Sequence, residues 1–280
     1  MPTIKRILFP FDFSKQASLA APFVRAVASQ YGAEILGLTV IPPAWNESPG
    51  GTGPLTGLDA PENELRARLD QALAQNFGGL ITRRLTDLGD PALKIIEIAQ
   101  RENVDLIMMP THGISGYRTM LLGSVTAKVL YEAKCPVWTA THAEEQVSPA
   151  APRNMLCAVD DSPRTTTVMR WAAEFSERMG AAVSFLHVMP PAGEALTVPS
   201  EPEMLKATQA KFESILQTAG IQGHLQIVTG EIAGTITKEA RQRGTDLILI
   251  GRGLLSLPLG RLHSDAYEII RQSPCPVVSV

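Results

Sequence analysis

Short apolar runs alternate with longer amphipathic stretches along this chain. Residues 4–10, 35–41, 80–87, 104–109 and 137–140 are apolar segments too short for helices, and they read as buried strands. Residues 15–31, 62–77 and 91–102 carry apolar side chains at helical spacing, with polar residues between them. Such alternation predicts a parallel sheet covered by helices on both faces.

The same pattern then runs a second time. The strand that ends in Phe11-Asp12-Phe13-Ser14 is answered by Asn154 to Val159 followed by Asp160-Asp161-Ser162. Tyr31-Gly32-Ala33 and Leu38-Thr39-Val40-Ile41-Pro42 return as Met179-Gly180-Ala181 and Leu186-His187-Val188-Met189-Pro190, at a constant offset of 148. Asp105-Leu106-Ile107 returns as Asp246-Leu247-Ile248 at an offset of 141, and Cys135-Pro136-Val137 as Cys275-Pro276-Val277 at 140. Two tandem copies of one domain account for this. The expected limits are residues 1–141 and 153–280, joined by a linker at 142–152. The first loss of register falls in the Gly- and Pro-rich segment 42–61, where a surface loop can change length at little cost.

Composition narrows the function classes. With 280 residues, 45% hydrophobic, 19% charged and a net charge of −3, the chain has no basic excess to neutralise a nucleic-acid backbone. No apolar run approaches the ~18 residues of a membrane span, so no membrane partner is expected. The first thirteen residues lack the apolar core of a signal peptide, which predicts a cytoplasmic protein. Three cysteines, none in a Cys-x-x-Cys pair, read as small buried thiols rather than as a disulfide or zinc set.

The candidate chemistry lies between Asp105 and Pro136. A buried strand opens into Pro110-Thr111-His112-Gly113, and after a loop Gly123-Ser124 precedes a periodic helical segment. Ser124 is placed to cap that helix, and the first-turn amides of Val125 and Thr126 then have no carbonyl partner. Such amides beside glycines favour a phosphate or another anion. In open parallel sheets ligands bind beyond the carboxyl ends of the strands, at the switch point of strand order. Asp12 ends the first strand, Val40 ends the second and residues 110–126 follow the fourth, so three separated pieces converge there.

Gly-x-x-Gly, nine residues, then Gly-Ser or Gly-Thr resembles the nucleotide-binding signature of the universal stress proteins. Gly113, Gly123 and Ser124 match its later positions, while Pro110 stands at its first glycine and supplies no N–H. The resemblance covers both copies. It implies an α/β fold of two tandem Rossmann-like, adenine nucleotide alpha hydrolase-like domains, each an open five-stranded parallel sheet with helices on both faces. It further implies a stress-response module that holds ATP or another adenine nucleotide, with or without Mg, in its first domain. Asp12 and Val40 would hold the adenosine end, Val40 through its backbone. His112, Gly113, Gly123, Ser124, Val125 and Thr126 would line the ribose and phosphates, and Pro10 and Met109 belong to the same set. No protein metal site and no catalytic residue are implied. Adenylyl-transferring enzymes of similar architecture carry a His-x-Gly-His motif after the first strand, where this chain reads Pro-Phe-Asp-Phe-Ser. A nucleotide-free, chaperone-like module and a slow ATPase are the alternative readings.

The second copy departs at the site. His263 stands where the first copy has Gly123, with Ser264 matching Ser124, so loss of triphosphate binding is expected there. The last strand of each copy, 137–140 and 276–280, is short and apolar, and universal stress proteins typically pair these strands. A linker reaching at most about 40 Å allows the two copies to pair as an intramolecular pseudo-dimer, with association of two chains left open. Plainer roles compete for single residues: Asp12 as a helix cap, His112 as a loop histidine satisfied by backbone, Arg118 as a solvated cation. Lys134 and Arg271 suit helix C-termini, and Trp138 and Tyr131 read as packing residues.

Overall fold

The computed structural model describes residues 3–42, 62–112, 122–140, 151–191, 201–251 and 265–280. The chain divides between Glu144 and Glu145 into two compact units. In the first, the order is β1 (Arg6–Pro10), α1 (Lys15–Tyr31), β2 (Glu34–Ile41), α2 (Glu62–Phe77) and β3 (Thr82–Leu88). It continues with α3 (Pro91–Arg101), β4 (Leu106–Pro110), α4 (Ser124–Glu132) and β5 (Val137–Ala140). The strands pair in parallel, in the order β3-β2-β1-β4-β5.

The second unit repeats the plan with β6 (Asn154–Val159), α5 (Thr165–Met179), β7 (Ala182–Met189), α6 (Glu201–Ala219) and β8 (His224–Thr229). It ends with α7 (Ile232–Gln242), β9 (Leu247–Ile250), α8 (Asp265–Gln272) and β10 (Val277–Ser279). Its strand order, β8-β7-β6-β9-β10, is that of the first unit. The expected α/β fold, two Rossmann-like domains with parallel five-stranded sheets, is the fold observed.

The central strands β1, β4, β6 and β9 are apolar without alternation because helices cover both faces, whereas the outer strands β3 and β8 carry polar residues and are only partly buried. Ile7, Leu8, Phe9, Leu106 and Ile107 are fully buried, as are Leu156, Cys157, Ile248 and Leu249 in the second unit. Helices α1 and α5 end alike, at Gly32 (φ 64°) and Gly180 (φ 67°), whose left-handed backbone lets the chain turn into the next strand. Trp138 packs in the core at 1% exposure, as expected, whereas Tyr131 is 66% exposed and is not a packing residue. The helical period of α4 points Val129 and Leu130 inward and carries Tyr131 outward. Cys157 and Cys275 are buried thiols, Cys275 with its pKa pushed up to about 12, first by burial, while Cys135 is only half-buried. Among the described residues no helix is long and apolar enough to cross a membrane.

A repeated carboxylate fixes the sheet's starting edge. Asp105, just before β4, accepts the Lys5 and Arg6 amides at 2.7 and 3.0 Å, and Asp246, before β9, accepts those of Arg153 and Asn154. These tie the strand pair on either side of the switch point at its N-terminal end. Asp105→Ala leaves two strand-end amides without their charged acceptor. We expect it to lower the unfolding free energy of the first unit by about 1–3 kcal/mol in urea denaturation.

Candidate functional site

The chain runs from β1 outward through β2 to β3, then crosses back to place β4 on the other side of β1. The switch point therefore lies between β1 and β4. Their pairing ends at Leu8–Ile107, whereas β1 continues beside β2 to Pro10–Leu38 and β4 beside β5 to Pro110–Ala140. Past Leu8 and Ile107 the two strands stop pairing, so a crevice opens at their carboxyl ends.

On the β1 side, Asp12 Oδ1 accepts the Ser14 amide at 3.0 Å and so shapes the turn out of the strand. The cap of α1 is Ser14, whose Oγ accepts the Ala17 amide at 3.0 Å, so Asp12 does not fill that role. The turn is anchored to β2 twice: Phe11 N donates to Leu38 O at 2.7 Å, and Thr39 Oγ1 donates to Phe11 O at 2.8 Å. Pro10, Asp12 and Val40 are half-buried at these strand ends. Phe13, between Asp12 and Ser14, has φ 61°, a left-handed backbone rare for a bulky residue. The Arg68 guanidinium of α2 lies 4.4 Å over its ring. Neither Phe13 nor Arg68 stood out in the sequence, since backbone handedness and a contact across 55 residues leave no local signal.

On the β4 side, the helix starts one residue earlier than expected. Gly123 is the N-cap of α4 and Ser124 its first helical residue, without a side-chain capping bond. This corrects the expected cap. Ser124 is exposed. The amides of Ser124, Val125 and Thr126 precede any carbonyl of the helix that could receive them.

Two bonds hold this helix start against the strand end. Gly123 N donates to Thr111 O at 2.9 Å, and Thr126 Oγ1 donates to Pro110 O at 3.1 Å. Thr126 is 2% exposed, so its hydroxyl serves the framework while its amide faces the helix end. Pro110 itself is the last residue of β4, buried, and its carbonyl is the acceptor that the framework uses. Gly123 has φ −60°, so no left-handed backbone requires glycine there. Space does: a Cβ would lie 3.1 Å from Thr111 O and 3.6 Å from His112 Cα. Behind the helix start, Lys128 Nζ lies 3.7 Å from Asp90 Oδ1, the cap of α3. Met109 is buried beneath the strand end and His112 is half-buried beyond it. Gly113 and Arg118 lie outside the described residues.

The second unit keeps the frame and changes the chemistry. His187 replaces Thr39, and its Nδ1 donates to Val159 O at 2.8 Å, the counterpart of Phe11 O. At the start of α8, Asp265 stands where the first unit has Val125. Burial, and then the charge of Glu231, raise its carboxyl pKa. Glu231 caps α7, accepting the Ala233 and Gly234 amides. Thus the start of α8 carries a carboxyl group of its own, within the field of a second one, at the position where the first unit has Val125. His263 and Ser264 lie outside the described residues. Among those described, no group of His, Cys, Asp and Glu is arranged to hold a metal ion.

Comparison with known proteins agrees with this architecture. The family model described as the universal stress protein family matches residues 3–140 and again 152–280, so the chain belongs to that family, in tandem form. A universal stress protein of Methanocaldococcus jannaschii is 32% identical over 150 residues, covering 48% of this chain and 92% of that protein. One from Mycolicibacterium smegmatis is 23% identical over 296 residues and spans 98% of this chain and 96% of its own. The crystal structure of a universal stress protein from Archaeoglobus fulgidus superimposes with a TM-score of 0.72 at 22% identity, covering 99% of this chain and 96% of that one, which supports the fold.

Two outcomes follow from this geometry. Thr126→Val removes the donor to Pro110 O and leaves a buried carbonyl unmatched, so the first unit should lose about 1–2 kcal/mol by chemical denaturation, while Thr126→Ser retains most of it. Burial holds the His112 imidazole below its ordinary pKa. The unfolded chain therefore takes up this proton first as pH falls. The contribution of His112 is fully present above the ordinary histidine value near 6.5 and is lost as pH drops through its lower folded value. His112→Gln should flatten that part of a stability-against-pH curve.

Proposed function

We propose that the first unit binds an adenine nucleotide, ATP or a close relative, across the β1/β4 switch point, and that the protein acts in stress response by the occupancy of this site. The observation that carries this reading is the start of α4: three first-turn amides, preceded by Gly123, where no side chain fits without pressing on the Thr111 carbonyl. The residues present suit such a ligand. Backbone amides of Ser124, Val125 and Thr126, with the Ser124 hydroxyl, would take the phosphates. His112 and Gly113 would lie along the same strand-end loop. Asp12 and the Val40 backbone would take the adenosine end, with Pro10 and Met109 beneath. Magnesium would enter on the nucleotide, and any hydrolysis would be slow and incidental to binding.

The second unit lacks this function in our reading, because Asp265 sets a carboxylate at the equivalent helix start. Residues 1–141 and 153–280 then form a binding and a non-binding domain joined by 142–152. Pairing of their last strands within one chain remains part of the proposal. Light scattering at a mass of one chain would be compatible with it, and separately expressed domains that do not associate would remove it.

Calorimetric titration of ATP into the full chain tests the reading. One site per chain is expected, with Gly123→Val weakening it at least about tenfold, or 1.4 kcal/mol. Equal binding by wild type and variant, or two equal sites, would overturn it.

A further inference from the structure

The turn after the first strand carries a feature that its repeat does without. Phe13 holds a left-handed backbone, φ 61°, which is disfavoured for an aromatic residue. Its ring meets Phe11 edge to face at 5.3 Å, and Phe11 in turn meets Phe9 at 5.5 Å, so the ring extends a row of aromatic side chains past the end of β1. Arg68 lies 4.4 Å over the ring. Both Phe13 and Arg68 are half-buried, so each keeps part of its surface exposed.

In the second unit the corresponding turn residue is Asp161, and it pairs with Lys211 of α6. Lys211 precedes the buried Phe212 as Arg68 precedes the buried Leu69. A cation from the second helix thus straps the turn in both units. Among the described residues, the left-handed backbone occurs at this turn only in the first. The strap therefore needs neither an aromatic ring nor a strained backbone. Strain kept in one copy and absent from the other points to a role beyond the fold.

We propose that Phe13 and Arg68 form a stacking platform for the base of the bound nucleotide, the Arg68 guanidinium lying flat between the Phe13 ring and the base. Chemistry supports the pairing, since guanidinium stacks on aromatic faces and a purine offers one on its other side. Geometry supports it too. The turn that carries Phe13 is anchored to β2 by Phe11 N donating to Leu38 O, and β2 lies two strand spacings, about 10 Å, from β4 and the α4 amides beside its end. This inference rests on the nucleotide reading above and names the residues that would select for a base.

The test separates base from phosphate. ATP and inorganic tripolyphosphate are titrated into the full-length wild type, Phe13→Leu, Arg68→Met and Gly123→Val. Phe13→Leu and Arg68→Met should each weaken ATP roughly tenfold, within the range of base stacking on aromatic side chains. Tripolyphosphate binding should stay unchanged in both, which also shows that the site is intact, whereas Gly123→Val weakens both ligands. Unchanged ATP affinity in the two platform variants sinks the platform and leaves the nucleotide site standing. Equal losses for both ligands mean that Arg68 serves the phosphates, and the platform fails. A wild type that binds neither ligand removes the nucleotide reading and the platform together.

Discussion

The site depends on strand separation at the switch point. Parallel strands β1 and β4 pair at Ile7–Leu106 and Leu8–Ile107 and then part, while β1 goes on pairing with β2 and β4 with β5. A polar backbone exposed in such a gap has to be satisfied. On the β4 side, Gly123 N and Thr126 Oγ1 satisfy the Thr111 and Pro110 carbonyls from the start of α4. On the β1 side, Thr39 and Leu38 anchor the Phe11 backbone. What is left over after these bonds, the first-turn amides of α4, is what the crevice can offer a ligand.

This framework explains why proline is tolerated at position 110. A glycine there would offer an amide, but the framework uses the residue's carbonyl, which proline retains. It also explains glycine at 123, through crowding against the Thr111 carbonyl rather than through backbone handedness. The two residues of the motif are thus constrained by different atoms of the same clasp.

Much of the fold was readable from the chain. Continuous apolar runs marked the strands, and α1 and α2 occur at 15–31 and 62–77, because amphipathic period and capping residues are local properties. The repeat was readable for the same reason, down to Asp105 and Asp246, whose tie to the neighbouring strand across the switch point recurs in both units. The cap of α4 was misassigned, since Gly-Ser permits either residue as cap and the choice is made by the bond from Gly123 N to Thr111 O, twelve residues back. Phe13 and Arg68 were invisible because their significance lies in a backbone angle and a contact between distant segments. Tyr131 was misread as packing because an aromatic side chain gives no hint of which side of a short helix it occupies.

The exchange of Thr39 for His187 changes what the second unit must hold in place at the end of β6. A carbonyl can only accept, so His187 must present a hydrogen on Nδ1 toward Val159 O. In the neutral ring that selects the δ tautomer and leaves Nε2 as an acceptor on the opposite side. The stitch between β6 and β7 therefore commits the ring to one tautomer and one orientation, where the Thr39 hydroxyl of the first unit is free to rotate toward its acceptor.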